Sequence, residues 1–404
     1  MASSATKRTG RRSARAVPVA DWPVHGDTAR LRRQPVHMVE GRAEGGYRDL
    51  FELICPSCGD HPYLDYSEVS PRLQRLRGPR TLTAGLAAYE DHLAQNARYR
   101  HEALLYSGPD EFRTATVSFA RRAVRAGDPI LVMVSSPKID MLRRDLGADA
   151  EKVSFADMAE VGRNPGRIIA AWHAFAQAHA GAAQLYGIGE PIYPGRSPAE
   201  MTECQQHEAL LNVAFDASTP LWLLCPYDLE ALTADVIDEA WRTHPLVAHG
   251  EDRQQSCMYR PVDPADPFAR PLPAPPPEAD HLIIRPGDLG RVGTFVARHA
   301  RQAGLGQDST TALLVAVKQI TANSDRNAGG EGELRAWSDG QALICEISDH
   351  SRLTWPLAGR LPPGADARVG AGPGDDLWLA NQLCDLVQLY SSPGRATIRL
   401  HQYV

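Results

Sequence analysis

The sequence predicts a multidomain protein: a layered α/β domain, then a proline-rich linker, then a smaller α+β domain. Three observations carry this. Helical periodicities alternate with short, wholly apolar runs through the middle of the chain, the pattern of a mostly parallel sheet covered on both faces. Eight prolines crowd into residues 261–281, a stiff, extended boundary. The last stretch mixes helical periodicity with an Asp339-Gly340 hairpin turn between alternating segments.

Residues 1–46 are polar, Arg-rich and aperiodic, the composition of a disordered basic tail. Arg11-Arg12 invites comparison with a twin-arginine signal, but no apolar region follows, and a cytoplasmic location is expected. Residues 47–97 contain Cys55-Pro56-Ser57-Cys58 and His61, candidate zinc ligands that lack a second CxxC nearby, and end in an expected helix, Leu82 to Ala97.

Residues 98–260 hold the layered pattern. Asp110 to Ala126 presents Phe112, Thr116, Phe119 and Ala123 on one helical face and stops at Gly127. Ile130–Val134 reads as a buried strand. Arg167 to Ala180 is a helix with Ile168, Trp172, Phe175 and Ala176 inward. Ser197-Pro198-Ala199-Glu200 combines an N-cap, a proline at the first helical position and a capping-box glutamate, opening a helix to about Phe215. Leu221–Cys225 is a second buried strand.

After the linker at 261–282, residues 283–404 predict helices at 288–303, around Gln319 and Asn323, and at 376–388. Strands are expected at 334–338, 342–348 and 397–401.

Composition narrows the function classes. The 404 residues carry a net charge of −6, which gives the molecule no general attraction to nucleic acid, and no apolar run has the length of a membrane helix. Cys225, Cys345 and Cys384 lie in apolar runs, as small core residues of a reduced compartment do.

The most telling segment is Val317-Lys318-Gln319-Ile320-Thr321-Ala322-Asn323, read with Asp349 and Gly374-Asp375-Asp376-Leu377. Gln319 and Asn323 stand one turn apart on a helix. An asparagine there can reach a phosphate-bound metal, but Gln319 is an amide and takes up no proton at neutral pH.

On these residues, 283–404 resembles the ATPase domain of anti-sigma-factor serine kinases, in the GHKL superfamily shared with histidine kinases and DNA gyrase. The resemblance implies an α+β two-layer sandwich. It also implies Asn323 as a Mg²⁺ ligand through ATP, Asp349 as the adenine reader with Ser351 at the neighbouring glycine position, and Gly374-Asp375-Asp376-Leu377 as the phosphate lid. Gln319 occupies the position of the catalytic glutamate. Two aspartates at a phosphate-facing helix mouth repel the ligand that such a mouth normally attracts. Three readings stay open: a domain that binds ATP and Mg²⁺ weakly without turnover, a nucleotide-free protein-binding module, and an active serine kinase acting on an anti-anti-sigma factor.

The middle segment resembles the MEDS sensory domain, through His101-Glu102-Ala103-Leu104-Leu105-Tyr106, Asp157-Met158, Gly187-Ile188-Gly189-Glu190-Pro191, His207-Glu208-Ala209-Leu210-Leu211-Asn212 and Cys225-Pro226-Tyr227-Asp228. The resemblance implies a RecA-like sheet without nucleotide chemistry, and Ser135-Ser136-Pro137-Lys138 indeed has no P-loop glycines. His101, Glu190, Cys225 and Tyr227 are expected to line one pocket for a small ligand at a strand end. Together the two resemblances imply a regulator of transcription. Its implied partners are a sigma factor or a STAS-type anti-anti-sigma protein, with a second copy of the chain in a homodimer as a further option.

Overall fold

The computed structural model describes residues 30–33, 50–54, 63–65, 98–250, 252–263, 267–327, 331–364 and 374–404. Cys55, Cys58, His61 and the helix expected at 82–97 lie outside the described residues, as does the side chain of Asp375. The chain divides into two compact units, Met1–Asn96 and Ala97–Val404. In the first, β1 (Arg30–Arg33), β2 (Leu50–Ile54) and β3 (Tyr63–Asp65) form an antiparallel sheet in the order β1-β2-β3. Arg30–Arg33 thus forms a strand inside the stretch expected to be a structureless tail.

The second unit begins with a three-layer α/β part. Its sheet contains β4 (Arg100–Tyr106), β5 (Ile130–Val134), β6 (Ser154–Asp157), β7 (Leu185–Gly189), β8 (Leu221–Asp228), β9 (Leu246–His249) and β10 (Asp252–Gln255). The order is β10-β9-β4-β8-β7-β5-β6, parallel except for the β9–β10 pair. One face packs on α1 (Gly108–Ala126) and α2 (Ser136–Leu146) through Leu104, Tyr106, Phe112, Phe119 and Leu142. Gly127 stops α1 in the left-handed conformation, φ 74°. A short helix α3 (Met158–Val161) follows β6. The opposite face carries α4 (Ile168–Ala178), α5 (Pro198–Ala214) and α6 (Ala234–Thr243), packed around Trp172, Leu211, Leu223 and Cys225.

Two local features follow from the sequence chemistry. At the start of α5 the capping box forms in full: Ser197 accepts from the Glu200 amide, and the Glu200 carboxylate accepts from the Ser197 amide. Beneath the sheet, Trp172 packs directly on β7: a Cβ at Gly187 would fall 2.7 Å from its ring. Gly187→Ala is therefore expected to destabilise the unit by about 1–3 kcal/mol through overpacking, read as a lowered urea midpoint with an unchanged slope.

The α+β part holds β11 (Asp280–Ile284), β12 (Gly332–Ser338), β13 (Ala342–Asp349), β14 (Leu386–Ser392) and β15 (Arg395–Tyr403), wholly antiparallel in the order β11-β12-β13-β15-β14. Helices α7 (Leu289–Ala303), α8 (Gln307–Asn327) and α9 (Asp375–Leu383) cover one face around Val292, Leu313, Val317, Leu334, Cys345 and Leu400. The helix expected to run to Gln388 ends at Leu383. Leu386–Ser392 is instead an edge strand paired with β15, and Val387 belongs to the sheet. The other sheet face buries a polar set that includes Glu346, Arg399, Gln388 and His401, with the Glu346 carboxylate accepting from Arg399 Nε at 2.9 Å.

The two parts of this unit are closely joined. Phe268 of the proline-rich segment is buried in the α+β core, while Leu357 and Leu361 are buried in the α/β core. Arg360 Nη2 donates to Glu203 of α5 at 2.8 Å, both side chains being buried. The loop Asn164–Arg167 ends helix α9: Arg167 donates to the carbonyls of Asn381 (2.6 Å) and Gln382 (2.8 Å), and Asn164 to those of Asn381 and Cys384 (both 3.2 Å). A helix leaves its last carbonyls without intrahelical partners, and a cation there also suits the helix dipole. The fit is close, since a Cβ at Gly166 would sit 2.2 Å from Asn381 Oδ1. Arg163 pairs with Asp385 at 2.7 Å on the same edge.

Candidate functional site

The residues expected to line one ligand pocket separate into two places. Glu190 follows β7 at the C-terminal edge of the sheet. Its carboxylate accepts from Tyr106 Oη at 3.0 Å and from Lys138 Nζ, whose ammonium also reaches Tyr106 Oη at 2.9 Å. Burial pushes the Glu190 carboxyl up, against the opposing pull of Lys138. Glu190 therefore does not join His101 and Cys225. Tyr106, which carries it, faces the α1 side of the sheet, and His101 packs with the helices opposite.

His101 and Cys225 do come together, 3.4 Å apart between Nε2 and Sγ. Cys225 sits inside β8 rather than at a strand end, because the strand continues through Pro226 to Asp228. Two groups that the sequence reading did not assign to the site complete the cluster. Glu208 of α5 places Oε2 3.0 Å from His101 Nε2 and 3.3 Å from Nε2 of His244, at the end of α6. One ligand atom from each of His101, Glu208, Cys225 and His244 lies within 4.8 Å of all the others, and all four side chains are buried. Glu208 was visible as part of a His-Glu-Ala-Leu-Leu run. His244 carried no signal, since it stands 143 positions along the chain from His101. Tyr227 borders the group, its ring 5.5 Å from the His244 ring and its buried hydroxyl without a hydrogen-bond partner among the described residues.

The protons in this cluster are fixed by its surroundings. Asn212 Nδ2 points at the carbonyls of Thr243 (2.7 Å), Ala209 (3.3 Å) and Glu208 (3.4 Å), so Oδ1 faces His101 Nδ1 at 3.0 Å. A carbonyl oxygen accepts only, so Nδ1 of His101 carries the hydrogen and Nε2 presents its lone pair to the cluster. His244 Nδ1 faces the Ala240 carbonyl at 2.9 Å and is set the same way. Burial, then the neighbouring His244, holds the His101 imidazole below its usual value. Burial pushes the Glu208 carboxyl up, but the two adjoining imidazoles outweigh it and hold the group well below the carboxylate range. Burial drives the Cys225 thiol well above its ordinary value, the opposite of an activated nucleophile.

In the α+β part the expected residues converge, but on one another. Gln319 Nε2 donates to Asp376 Oδ1 at 2.9 Å. Both carboxylate oxygens of Asp349 are engaged: Oδ2 by the Ser324 hydroxyl, and Oδ1 by the Ser351 amide at 2.9 Å and the Ser351 hydroxyl. The cavity that Asp349, Ser351 and Asp376 border, with Asn323, Gly374 and Leu377, measures about 30 Å³. That is the volume of about one water, against the several hundred Å³ of a typical ligand pocket. A larger cleft of about 930 Å³ lies elsewhere, between the start of α5 and the polar sheet face bearing Arg399, His401 and Tyr403.

Residues 100–245 match the family described as MEDS, the MEthanogen/methylotroph, DcmR Sensory domain, and this part of the chain is a MEDS domain. None of the curated proteins matches the sequence. Among solved structures, the chain overlaps the RsbU and RsbW domains of Rv1364c from Mycobacterium tuberculosis at 13% identity and a TM-score of 0.24. That overlap takes in 52% of this chain and spans about half, 49%, of the other, too loose a likeness to guide the reading of this fold. Among the described residues no helix is long and apolar enough to cross a membrane.

Proposed function

We propose that the protein is a ligand-responsive regulator of transcription of the anti-sigma type. In this reading the MEDS domain binds the signal in its buried His101/Glu208/Cys225/His244 layer, and the α+β part binds a sigma factor or its antagonist without transferring phosphate. One observation carries the coupling: α5 bears both Glu208 of the cluster and Glu203, which grips Arg360 from the later part of the chain. The sheet order, with its single antiparallel edge strand, supports the RecA-like reading of the sensor. Asn323 and Asp349 bordering one small cavity, with Gln319 joined to its lining through Asp376, support the GHKL-like reading of the output part.

The site's own chemistry supports a pseudo-enzyme. Both Asp349 oxygens already accept from serine groups of the chain, and Gln319, an amide held by Asp376, cannot act as a base. Calorimetric titration of the full chain with Mg²⁺-ATP and with adenosine tests this. The expected result is no tight binding of either by the wild type, and ATP affinity gained on Asp375→Arg with Asp376→Gly. Robust ATP-dependent phosphorylation of an anti-anti-sigma protein, abolished by Asn323→Ala, would establish the kinase reading instead. Co-purification with a sigma factor tests the partner.

A further inference from the structure

We propose that His101, Glu208, Cys225 and His244 form a closed, tetrahedral site for a zinc-class divalent metal ion. The geometry points there first. An ion with bonds of about 2.0–2.3 Å to nitrogen, oxygen and sulfur separates its tetrahedral ligands by roughly 3.3–3.8 Å. The contacts are 3.0 Å from His101 Nε2 to Glu208 Oε2, 3.3 Å from His244 Nε2 to the same oxygen, and 3.4 Å from His101 Nε2 to Cys225 Sγ.

The hydrogens of the cluster point the same way. Both imidazoles spend their Nδ1 hydrogens outward, on Asn212 Oδ1 and the Ala240 carbonyl, so two lone pairs and a carboxylate converge with only the Cys225 thiol hydrogen among them. His244 Nε2 and Glu208 Oε1 are buried and without hydrogen bonds among the described residues. Buried acceptors that face one another repel unless a cation lies between them. A proton on one imidazole would satisfy one such contact and leave the others.

Charge closes the case. On binding, the ion displaces the Cys225 proton to solvent, and the thiolate and the Glu208 carboxylate together cancel its two positive charges. Two neutral imidazoles complete the shell, so the buried centre is electrically neutral. Two nitrogens, one sulfur and one oxygen suit Zn²⁺, Co²⁺ or Fe²⁺ rather than Mg²⁺ or Ca²⁺. Asn212 and the Ala240 carbonyl are the outer partners that fix imidazole tautomers at such centres.

The ion would tie α5 and α6 to β4 and β8, and α5 carries Glu203 only five positions before Glu208. The regulatory consequence, that occupancy alters the Glu203–Arg360 grip, rests on the function proposed above. Metal binding itself does not.

The test uses the full chain carrying Cys55→Ser and Cys58→Ser, which removes the other candidate thiol pair. After reconstitution with Zn²⁺ and gel filtration, elemental analysis is expected to give one ion per chain. Reconstitution with Co²⁺ is expected to give tetrahedral visible bands and a thiolate charge-transfer band in the near ultraviolet. Cys225→Ala should abolish the charge-transfer band and weaken binding at least about 100-fold, Asn212→Ala should weaken it about 10–100-fold with the band retained, and exposed Cys257→Ser should change nothing. If Cys225→Ala fails to fold, thermal unfolding of the parent chain decides: Zn²⁺ should raise its midpoint and a chelator lower it. A folded chain that takes up no ion, shows no thiolate band, or unfolds identically with and without Zn²⁺ overturns the site. One bound ion with partner binding unchanged by chelation establishes the site and overturns only the regulatory coupling.

Discussion

Glu203→Ala is expected to cost the Ala97–Val404 unit about 3–5 kcal/mol, because it strands the Arg360 guanidinium in a place water does not reach. Arg360 is 2% exposed and Glu203 4%, and two further guanidinium nitrogens, Nε and Nη1, have no partner among the described residues. The lost carboxylate is thus the chief compensation for a charge held at the junction of the two parts. Burial pushes the Glu203 carboxyl up even with Arg360 beside it, which marks how dry the junction is. Arg360→Met alone should cost less, and combining it with Glu203→Ala should recover much of the loss. A double-mutant cycle by urea unfolding measures the coupling. Single variants that each cost under about 1 kcal/mol would mean that the pair is hydrated in solution.

Gln319→Glu, the change that restores the kinase-type residue, is expected to fail as a repair and to destabilise the α+β part. The new carboxylate would stand where Gln319 now donates to Asp376 at 2.9 Å. Two like charges at that range cost about 4 kcal/mol in a partly buried setting. The penalty should fade in acid, where one carboxyl of the pair keeps its proton, so the variant regains stability below about pH 4 and loses it as pH rises. Adding Asp376→Asn should remove the penalty at pH 7. Thermal unfolding of both variants at pH 4 and pH 7 checks this; a stable single variant at pH 7 would show that residue 319 turns away from Asp376. The two departures from the kinase pattern, an amide at 319 and an acid at 376, therefore compensate each other.

Elements whose signals are local were legible in the sequence. Ile130–Val134 is bounded as expected, the Ser197/Glu200 capping box forms, and the Asp339-Gly340 hairpin joins β12 to β13. Where tertiary pairing decides, the sequence misled. The strand expected at Leu221–Cys225 continues through Pro226 to Asp228, with Pro226 opposite Leu104. Residues 386–388 fell inside the helix expected at 376–388 but belong to the strand Leu386–Ser392, because β15 offers them an edge to pair with. The candidate site was half legible. His101, Cys225 and Tyr227 were identified by type, while Glu190 was wrongly grouped with them, since alternation in β4 sends His101 and Tyr106 to opposite faces. His244 needed the fold, for nothing in its neighbourhood of sequence distinguishes it.

The loop at Asn164–Arg167 has a consequence for how the chain is made. Helix α9 takes its final hydrogen-bond donors from residues 214–220 positions earlier. Domains leaving the ribosome fold from the N-terminus. The MEDS domain can therefore be complete before α9 is synthesised, standing as a template on which that helix finishes. Folding of the later part is then vectorial, and a defect in the earlier part should appear as a failure of maturation in residues that carry no mutation themselves.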